Sequence, residues 1–164
     1  MAVQHGAKTT ARWRACHASF FLASPERQAR RRLPRLLLDT HVLIRWLGET
    51  RKLSRSQLRA LESAVGRGEP LALSAISLLE IAVLASGEKP ALKVPLDEFF
   101  QDLNSNPTFR ILPLTYDVAL GVVSLSVLRD PADRAIAATA RVHRLRLVTS
   151  DRRIIESHLV PVVE

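Results

Sequence analysis

The sequence predicts an α/β protein: a three-layer α/β/α sandwich around a mostly parallel central sheet. Two observations predict this class. Of the 164 residues, 47% are apolar but only 5% are aromatic, a composition that suits helices packed on a sheet better than an aromatic-rich β-sandwich. From Leu36 onward, short apolar runs alternate with segments of helical period, as in parallel strands joined by crossover helices.

The first predicted unit is a strand followed by two helices. Leu36–Leu38 is a short apolar run that predicts a buried strand, and residues 41–47 continue it as a helix. Residues 54–66 place apolar side chains every three or four positions on one helical face. Ser54 stands where that helix begins and is its predicted N-cap.

The middle of the chain predicts two more strands. Residues 71–73 form the second strand, and residues 74–85 are apolar nearly all round, which predicts a buried helix. A shorter amphipathic helix follows over 95–104, then a third strand over 109–112 and a helix over 115–125.

The last predicted unit begins with a long alanine-rich helix that Asp130 and Pro131 open and that ends near His143. Residues 145–149 predict a fourth strand and residues 151–157 a short helix. Residues 160–163 complete the sheet as an edge strand.

The positive charge is concentrated at the start of the chain. The formal net charge is +8, and residues 1–35 contribute +7 of it, with eight Lys/Arg against Glu26. We therefore predict a basic, disordered extension over residues 1–34 and a folded domain over 35–164. A basic tail that contacts RNA or DNA phosphates is the alternative interpretation of this segment.

The composition also limits the cellular setting. The longest uncharged stretches are about ten residues, short of the roughly 18–20 that span a bilayer, so we expect no membrane association. The single cysteine, Cys16, cannot form an internal disulfide, which fits a reducing, cytoplasmic compartment and excludes a cysteine-based zinc cluster.

Four carboxylates occupy comparable places in this layout, beside strand ends or in the first turns of helices: Asp39, Glu80, Asp133 and Asp151. The carboxyl ends of parallel strands share one edge of a sheet, so these side chains should converge. Clustered carboxylates repel one another, and a hard cation such as Mg²⁺ or Mn²⁺ relieves that repulsion. Such a site activates water for attack on a phosphodiester.

Each acid also has a structural interpretation. Asp39 and Asp151 stand where they would cap the helices that follow, and Asp130 before a proline is a good N-cap. Asp133 would then lie favourably against the helix dipole. Glu80 is harder to explain in this way, because Ser74 is the better cap and Glu80 falls inside an apolar helix, where a cation or a hydrogen-bond donor should meet it.

Arginines accompany these acids in the last third of the sequence, namely Arg129, Arg134, Arg141, Arg144, Arg146, Arg152 and Arg153. A basic rim around an acidic centre would suit a phosphate backbone led to a metal site. An ordinary solvated face explains the same run.

With these residues in view, the chain resembles the PIN-domain nucleases of the VapC type, the ribonuclease toxins of type II toxin–antitoxin pairs. The resemblance runs from about residue 36 to 163 and lies in five segments in the same order: LLLDTHVLIRWL, LSAISLLEIAVLASGEK, ILPLT, RDPADRAIAATARVHRLRLVTSD and VPVV. The chain departs from the DPxDR subgroup at Leu79 and Ala132, where an aromatic residue often stands.

The resemblance implies a metal-dependent endoribonuclease. It places the four catalytic, metal-binding acids of the family on Asp39, Glu80, Asp133 and Asp151, with Mg²⁺ or Mn²⁺ as cofactor. Three further residues, Thr40, Asp130 and Ser150, are auxiliary by the same comparison. The implied partners are an RNA substrate, an antitoxin protein and a second copy of the chain.

Two alternatives belong to other classes. One is a non-catalytic PIN-fold module that binds RNA or a protein partner, and another is a phosphatase or DNA nuclease with similar acids. For the partner interfaces we expect apolar residues of the early helices, around Leu43, Trp46 and Leu58, although core packing explains them equally well.

Overall fold

The computed structural model describes residues 32–87, 92 and 94–164, and within them one five-stranded parallel sheet in the order β3-β2-β1-β4-β5. The strands are β1 (Leu36–Leu38), β2 (Leu71–Ser74), β3 (Phe109–Leu112), β4 (Arg146–Val148) and β5 (Val162–Val163). The helices are α1 (Thr40–Gly48), α2 (Arg55–Gly66), α3 (Ala75–Ala85), α4 (Leu96–Ser105), α5 (Tyr116–Val123), α6 (Pro131–Val142) and α7 (Arg152–Ser157), with a 3₁₀ turn at Thr50–Lys52. The predicted extension over 1–34 lies outside the described residues except for its last three.

Helices cover both faces of the sheet, as predicted for a three-layer sandwich. Alternate side chains of a strand point to opposite faces, so Leu36 and Leu38 enter one core and Leu37 enters the other. The first core packs against α1, α2 and α4, and the second against α5, α6 and α7. The predicted interface residues Leu43 and Trp46 are buried in the first core, with Leu58 packed against it, so core packing is the correct interpretation.

The strand order creates a switch point between β1 and β4. The chain proceeds outward from β1 to β2 and β3, then returns to place β4 on the other side of β1. In open parallel sheets, the crevice beyond such a reversal is where ligands bind. The Asp39 amide donates to the Val148 carbonyl at 3.0 Å, which continues the β1–β4 pairing to the rim of this crevice.

The prediction that residues 74–85 form a buried helix is wrong in one respect. The helix exists as α3 and Ser74 caps it, but only Ser77 and Ile81 of its residues are buried. Leu79 and Val83 are 62% and 63% exposed. The neighbouring helices cover only part of α3, and its apolar outer side is left open.

The remaining elements differ from prediction only at their ends. The helix predicted over 115–125 ends at Val123, and the last two strands are shorter than predicted, covering 146–148 and 162–163. In the described part of the chain, no helix is long and apolar enough to cross a membrane.

Candidate active site

The candidate site lies at the switch point, beyond the carboxyl ends of β1 and β4. Asp39 is the residue directly after β1, and Asp151 follows β4 by three residues. Because β1 and β4 are adjacent, the two acids flank the same crevice. Glu80 on α3 and Asp133 in the first turn of α6 approach it from the two helical layers.

The Asp39 carboxylate is buried and held by two hydrogen bonds. Its Oδ2 accepts from the Thr149 hydroxyl at 2.6 Å, and its Oδ1 accepts from the His41 amide at 3.3 Å. The Thr149 hydroxyl also accepts from the Asp151 amide at 3.0 Å. Thr149 therefore joins the ends of β1 and β4 and fixes the positions of both acids.

Sequence reasoning missed Thr149 as part of the site. Its signal was its place at the end of a predicted strand, two residues before Asp151. Gln57 was missed as well: its Nε2 donates to the Thr149 carbonyl at 2.8 Å and to the Ser150 hydroxyl at 3.1 Å. The hydroxyl of Ser150, one of the predicted auxiliary residues, therefore already accepts a hydrogen bond from Gln57.

Glu80 accepts a hydrogen bond, as predicted for a carboxylate inside an apolar helix. The Thr40 hydroxyl donates to Glu80 Oε2 at 2.6 Å, so consecutive residues after β1 serve the site and bind α3 to it. Burial raises the pKa of Glu80, and the charges of Asp39 and Asp130 act in the same direction, while the Thr40 hydrogen bond opposes them. Burial and these charges therefore disfavour the ionised form of the Glu80 carboxyl.

Asp133 experiences the combined field of all the other acids. Burial, followed by repulsion from Asp151, Asp130, Asp39 and Glu80 in decreasing order, raises its pKa to about 6. The charges of these four acids therefore all act on Asp133. Within the described residues, no hydrogen bond reaches the Asp133 carboxylate.

The capping interpretations are also correct as far as they go. Asp39, Asp130 and Asp151 are the N-caps of α1, α6 and α7, and each accepts a hydrogen bond from a backbone amide of the helix that it precedes. Capping uses one oxygen of the Asp151 side chain, on the Arg153 amide at 2.7 Å. A carboxylate has further acceptor capacity, so capping and ligand binding are compatible roles.

The chemistry of this donor set fits a hard divalent cation. Carboxylate oxygens are the ligands that Mg²⁺ prefers, and a cation among them would relieve the repulsion that raises the pKa of Asp133. Among the residues that the structure describes, no three such side chains already stand at ligand spacing. The carboxylates of Asp39 and Glu80 are instead turned toward the hydroxyls of Thr149 and Thr40.

A parallel sheet with carboxylates beyond its switch point is the arrangement that the resemblance to PIN domains implies, and sequence comparison agrees. The PIN domain family model matches residues 36–157. The chain belongs to the PIN domain family. The fold class predicted from the sequence and the resemblance to PIN domains are both confirmed.

Individual relatives are similar over most of the chain. Ribonuclease VapC22 of Mycobacterium tuberculosis (strain ATCC 25618 / H37Rv) is 41% identical over 128 residues, which cover 77% of this chain and 93% of the relative. The crystal structure of FitAcB from Neisseria gonorrhoeae is 28% identical with a TM-score of 0.54, and covers 79% of this chain and 96% of its own. A toxin–antitoxin complex from Klebsiella pneumoniae is 25% identical with a TM-score of 0.51 and the same coverage.

Proposed function

We propose that this protein is a metal-dependent endoribonuclease of the VapC type, the toxin of a toxin–antitoxin pair. The observation that carries the proposal is the placement of Asp39, Glu80, Asp133 and Asp151 around the switch-point crevice, where burial and the charges of neighbouring acids raise the pKa of Asp133 to about 6. The 41% identity to Ribonuclease VapC22 supports RNA as the substrate.

Asp39, Glu80, Asp133 and Asp151 would hold Mg²⁺ or Mn²⁺ in this site. When bound, the cation supplies Lewis-acid chemistry: it lowers the pKa of water and neutralises charge on a phosphodiester. The chain's own hydroxyls orient the acids, with Thr149 on Asp39 and Thr40 on Glu80. No side chain acts as a covalent nucleophile in this proposal.

Cleavage of a structured RNA by the purified full-length chain tests the proposal. We expect cutting with Mg²⁺ or Mn²⁺, none with EDTA, and losses of about a hundred-fold or more in Asp39→Asn and Glu80→Gln, because each removes a charge from the cation site. Matched controls are Asp97→Asn and Glu98→Gln, exposed acids in the first turn of α4, which should cut like the unaltered protein.

The alternatives give different results in the same assay. A binding module would retain RNA affinity and show no metal-dependent cutting. Preferential cleavage of DNA or of a phosphomonoester, assayed beside the RNA, would contradict ribonuclease activity while keeping the acids as the site. Equal RNA cutting by Asp39→Asn and Asp97→Asn would remove Asp39 from the mechanism.

A protein partner is the second part of the proposal. Similar solved structures include toxin–antitoxin complexes, which supports an antitoxin for this chain. We further propose a homodimer through an apolar stripe on and after α5 (Tyr116, Leu120, Val123 and Val127), whose members follow one another at intervals of four, three and four residues. All four are more than half exposed, and exposed apolar surface of this extent marks an interaction site.

A further inference from the structure

A basic cleft lies between two segments that lead to acids of the candidate site, residues 127–129 before Asp130 and residues 153–157 after Asp151. It has a volume of about 340 Å³ and is lined by Val127, Arg129, Arg153, Glu156 and Ser157. Its two arginines belong to the same segments as the acids, since Arg129 precedes Asp130 and Arg153 follows Asp151 by two residues. Two guanidinium groups against the Glu156 carboxylate leave the cleft with a net positive charge.

Of the other arginines of this region, two form hydrogen bonds elsewhere, two are remote from the acids, and Arg152 is exposed outside the cleft lining. Arg134 donates to the carbonyls of Leu128 and Ser126, and Arg141 donates to the Ser124 hydroxyl. Arg144 and Arg146 lie at the start of β4, at the opposite edge of the sheet from the acids. The basic run in the sequence is therefore mostly structural or remote from the site.

Arg129 and Arg153 have no such structural role. Both are exposed, and within the described residues neither guanidinium forms a hydrogen bond or an ion pair. Paired guanidinium groups recognise phosphate oxygens through charge-assisted hydrogen bonds.

We propose that this cleft binds one backbone phosphate of the RNA strand next to the bond that is cut, with Arg129 and Arg153 as its ligands. The inference rests on the proposed function for the identity of the strand. It assigns a substrate-positioning role to two arginines outside the acidic set. A positive cleft at this point offsets the repulsion that the carboxylates exert on a polyanion.

Salt-dependent binding of a labelled single-stranded RNA, measured by anisotropy in EDTA so that no cutting occurs, tests the cleft. We expect Arg129→Gln/Arg153→Gln to bind about ten-fold or more weakly at low salt. The slope of log Kd against log [NaCl] should fall by about 0.7, the value for one phosphate contact on a single strand. The control is Arg59→Gln/Arg110→Gln, which removes the same charge from exposed residues outside the cleft lining.

Three results would overturn the proposal. The first is equal affinity and slope in the cleft and control variants, and the second is no RNA binding by the unaltered protein at low salt. The third is equally arginine-dependent binding of a polyglutamate peptide, which would make the cleft a site for an acidic protein segment. Arginine-dependent RNA binding without metal-dependent cutting would reject the nuclease and keep the cleft.

Discussion

At the scale of single residues, the Thr149 hydroxyl holds Asp39 and Asp151, the two acids that follow β1 and β4. Thr149 donates to Asp39 and accepts from the Asp151 amide, so its loss leaves a buried carboxylate oxygen and a backbone N–H without partners. We expect Thr149→Val to lower the free energy of unfolding by about 1–3 kcal/mol and to weaken Mn²⁺ binding. Urea unfolding and calorimetry measure the two effects.

Thr149→Ser is the matched control for this prediction. It keeps the hydroxyl and removes only a methyl group, so it should retain Mn²⁺ affinity within about two-fold of the unaltered protein if the hydrogen bonds matter. Retention of Mn²⁺ affinity in Thr149→Val, which keeps the methyl group and replaces only the hydroxyl, would show that these hydrogen bonds do not position Asp39.

Asp133 predicts a dependence of stability on pH. Its pKa is about 6 in the folded chain against the ordinary 3.8, so the folded state keeps a proton that the unfolded state has lost in this window. The free energy of unfolding should therefore fall as pH rises from about 4 to about 6, and stay low above that. Asp133→Asn should be more stable than the unaltered chain by about 1–2 kcal/mol at pH 7.5 in EDTA, after allowance for solvent screening, and equal near pH 4.

Urea unfolding across this pH range checks the prediction. Glu80 also has a raised pKa and contributes a slope of the same sign in both proteins, so the prediction is judged on the difference between the two stability curves. Asp117→Asn removes an exposed acid from the first turn of α5 and controls for the helix dipole. Parallel stability curves for the Asp133→Asn variant and the unaltered chain would contradict the raised pKa of Asp133.

At the scale of the helices, Gly121 lies where α5 packs against α6. A Cβ on Gly121 would lie 3.2 Å from the Ala138 Cβ, which is tighter than most such contacts, so any side chain here requires α5 and α6 to move slightly apart. We expect Gly121→Val to lower the free energy of unfolding by about 1–3 kcal/mol, because the branched side chain forces α5 away from α6. Thermal unfolding in EDTA measures this loss of stability.

Gly66→Ala at the end of α2 provides the comparison. A Cβ there meets nothing within 4 Å, and alanine favours a helix by about 0.5–1 kcal/mol over glycine. This variant should unfold at a higher temperature than the unaltered chain. If Gly121→Val also raised the unfolding temperature, close packing of α5 on α6 would not be what requires the glycine.

Most elements could be predicted because each has its own hydrophobic pattern or its own cap. Ser54 and Ser74 are two such N-caps. The exposed side of α3 could not, because a helix that is apolar all round has no periodicity to show which side faces solvent. The convergence of the acids followed from the parallel topology. The Thr149–Asp39 bond did not, since two residues 110 positions apart in sequence give no local sign of contact.

The apolar stripe on and after α5 predicts dimerisation at the scale of the whole molecule. Burying this surface against a second copy removes apolar area from water, whereas charges placed in it would be desolvated without partners. We expect the unaltered chain to sediment as a dimer and Leu120→Glu/Val123→Glu as a monomer. Leu33→Glu, which changes another exposed leucine ahead of β1, should leave the dimer intact.

Concentration-dependent sedimentation decides between the possibilities. Retention of the dimer in Leu120→Glu/Val123→Glu would place the interface elsewhere, and the open side of α3 around Leu79 and Val83 would be the next surface to test. A chain that stays monomeric at all concentrations would contradict the homodimer and leave these apolar surfaces to a different protein.

The two edges of the sheet restrict how any partner can join this protein. β5 contributes only two residues, and β3 contributes four, of which Arg110 projects a charge into solvent. Short and charged edges discourage a foreign strand from pairing with the sheet. Recognition by strand addition is thereby disfavoured, and a partner that covers the crevice has to be held by side chains of the helices and loops around it.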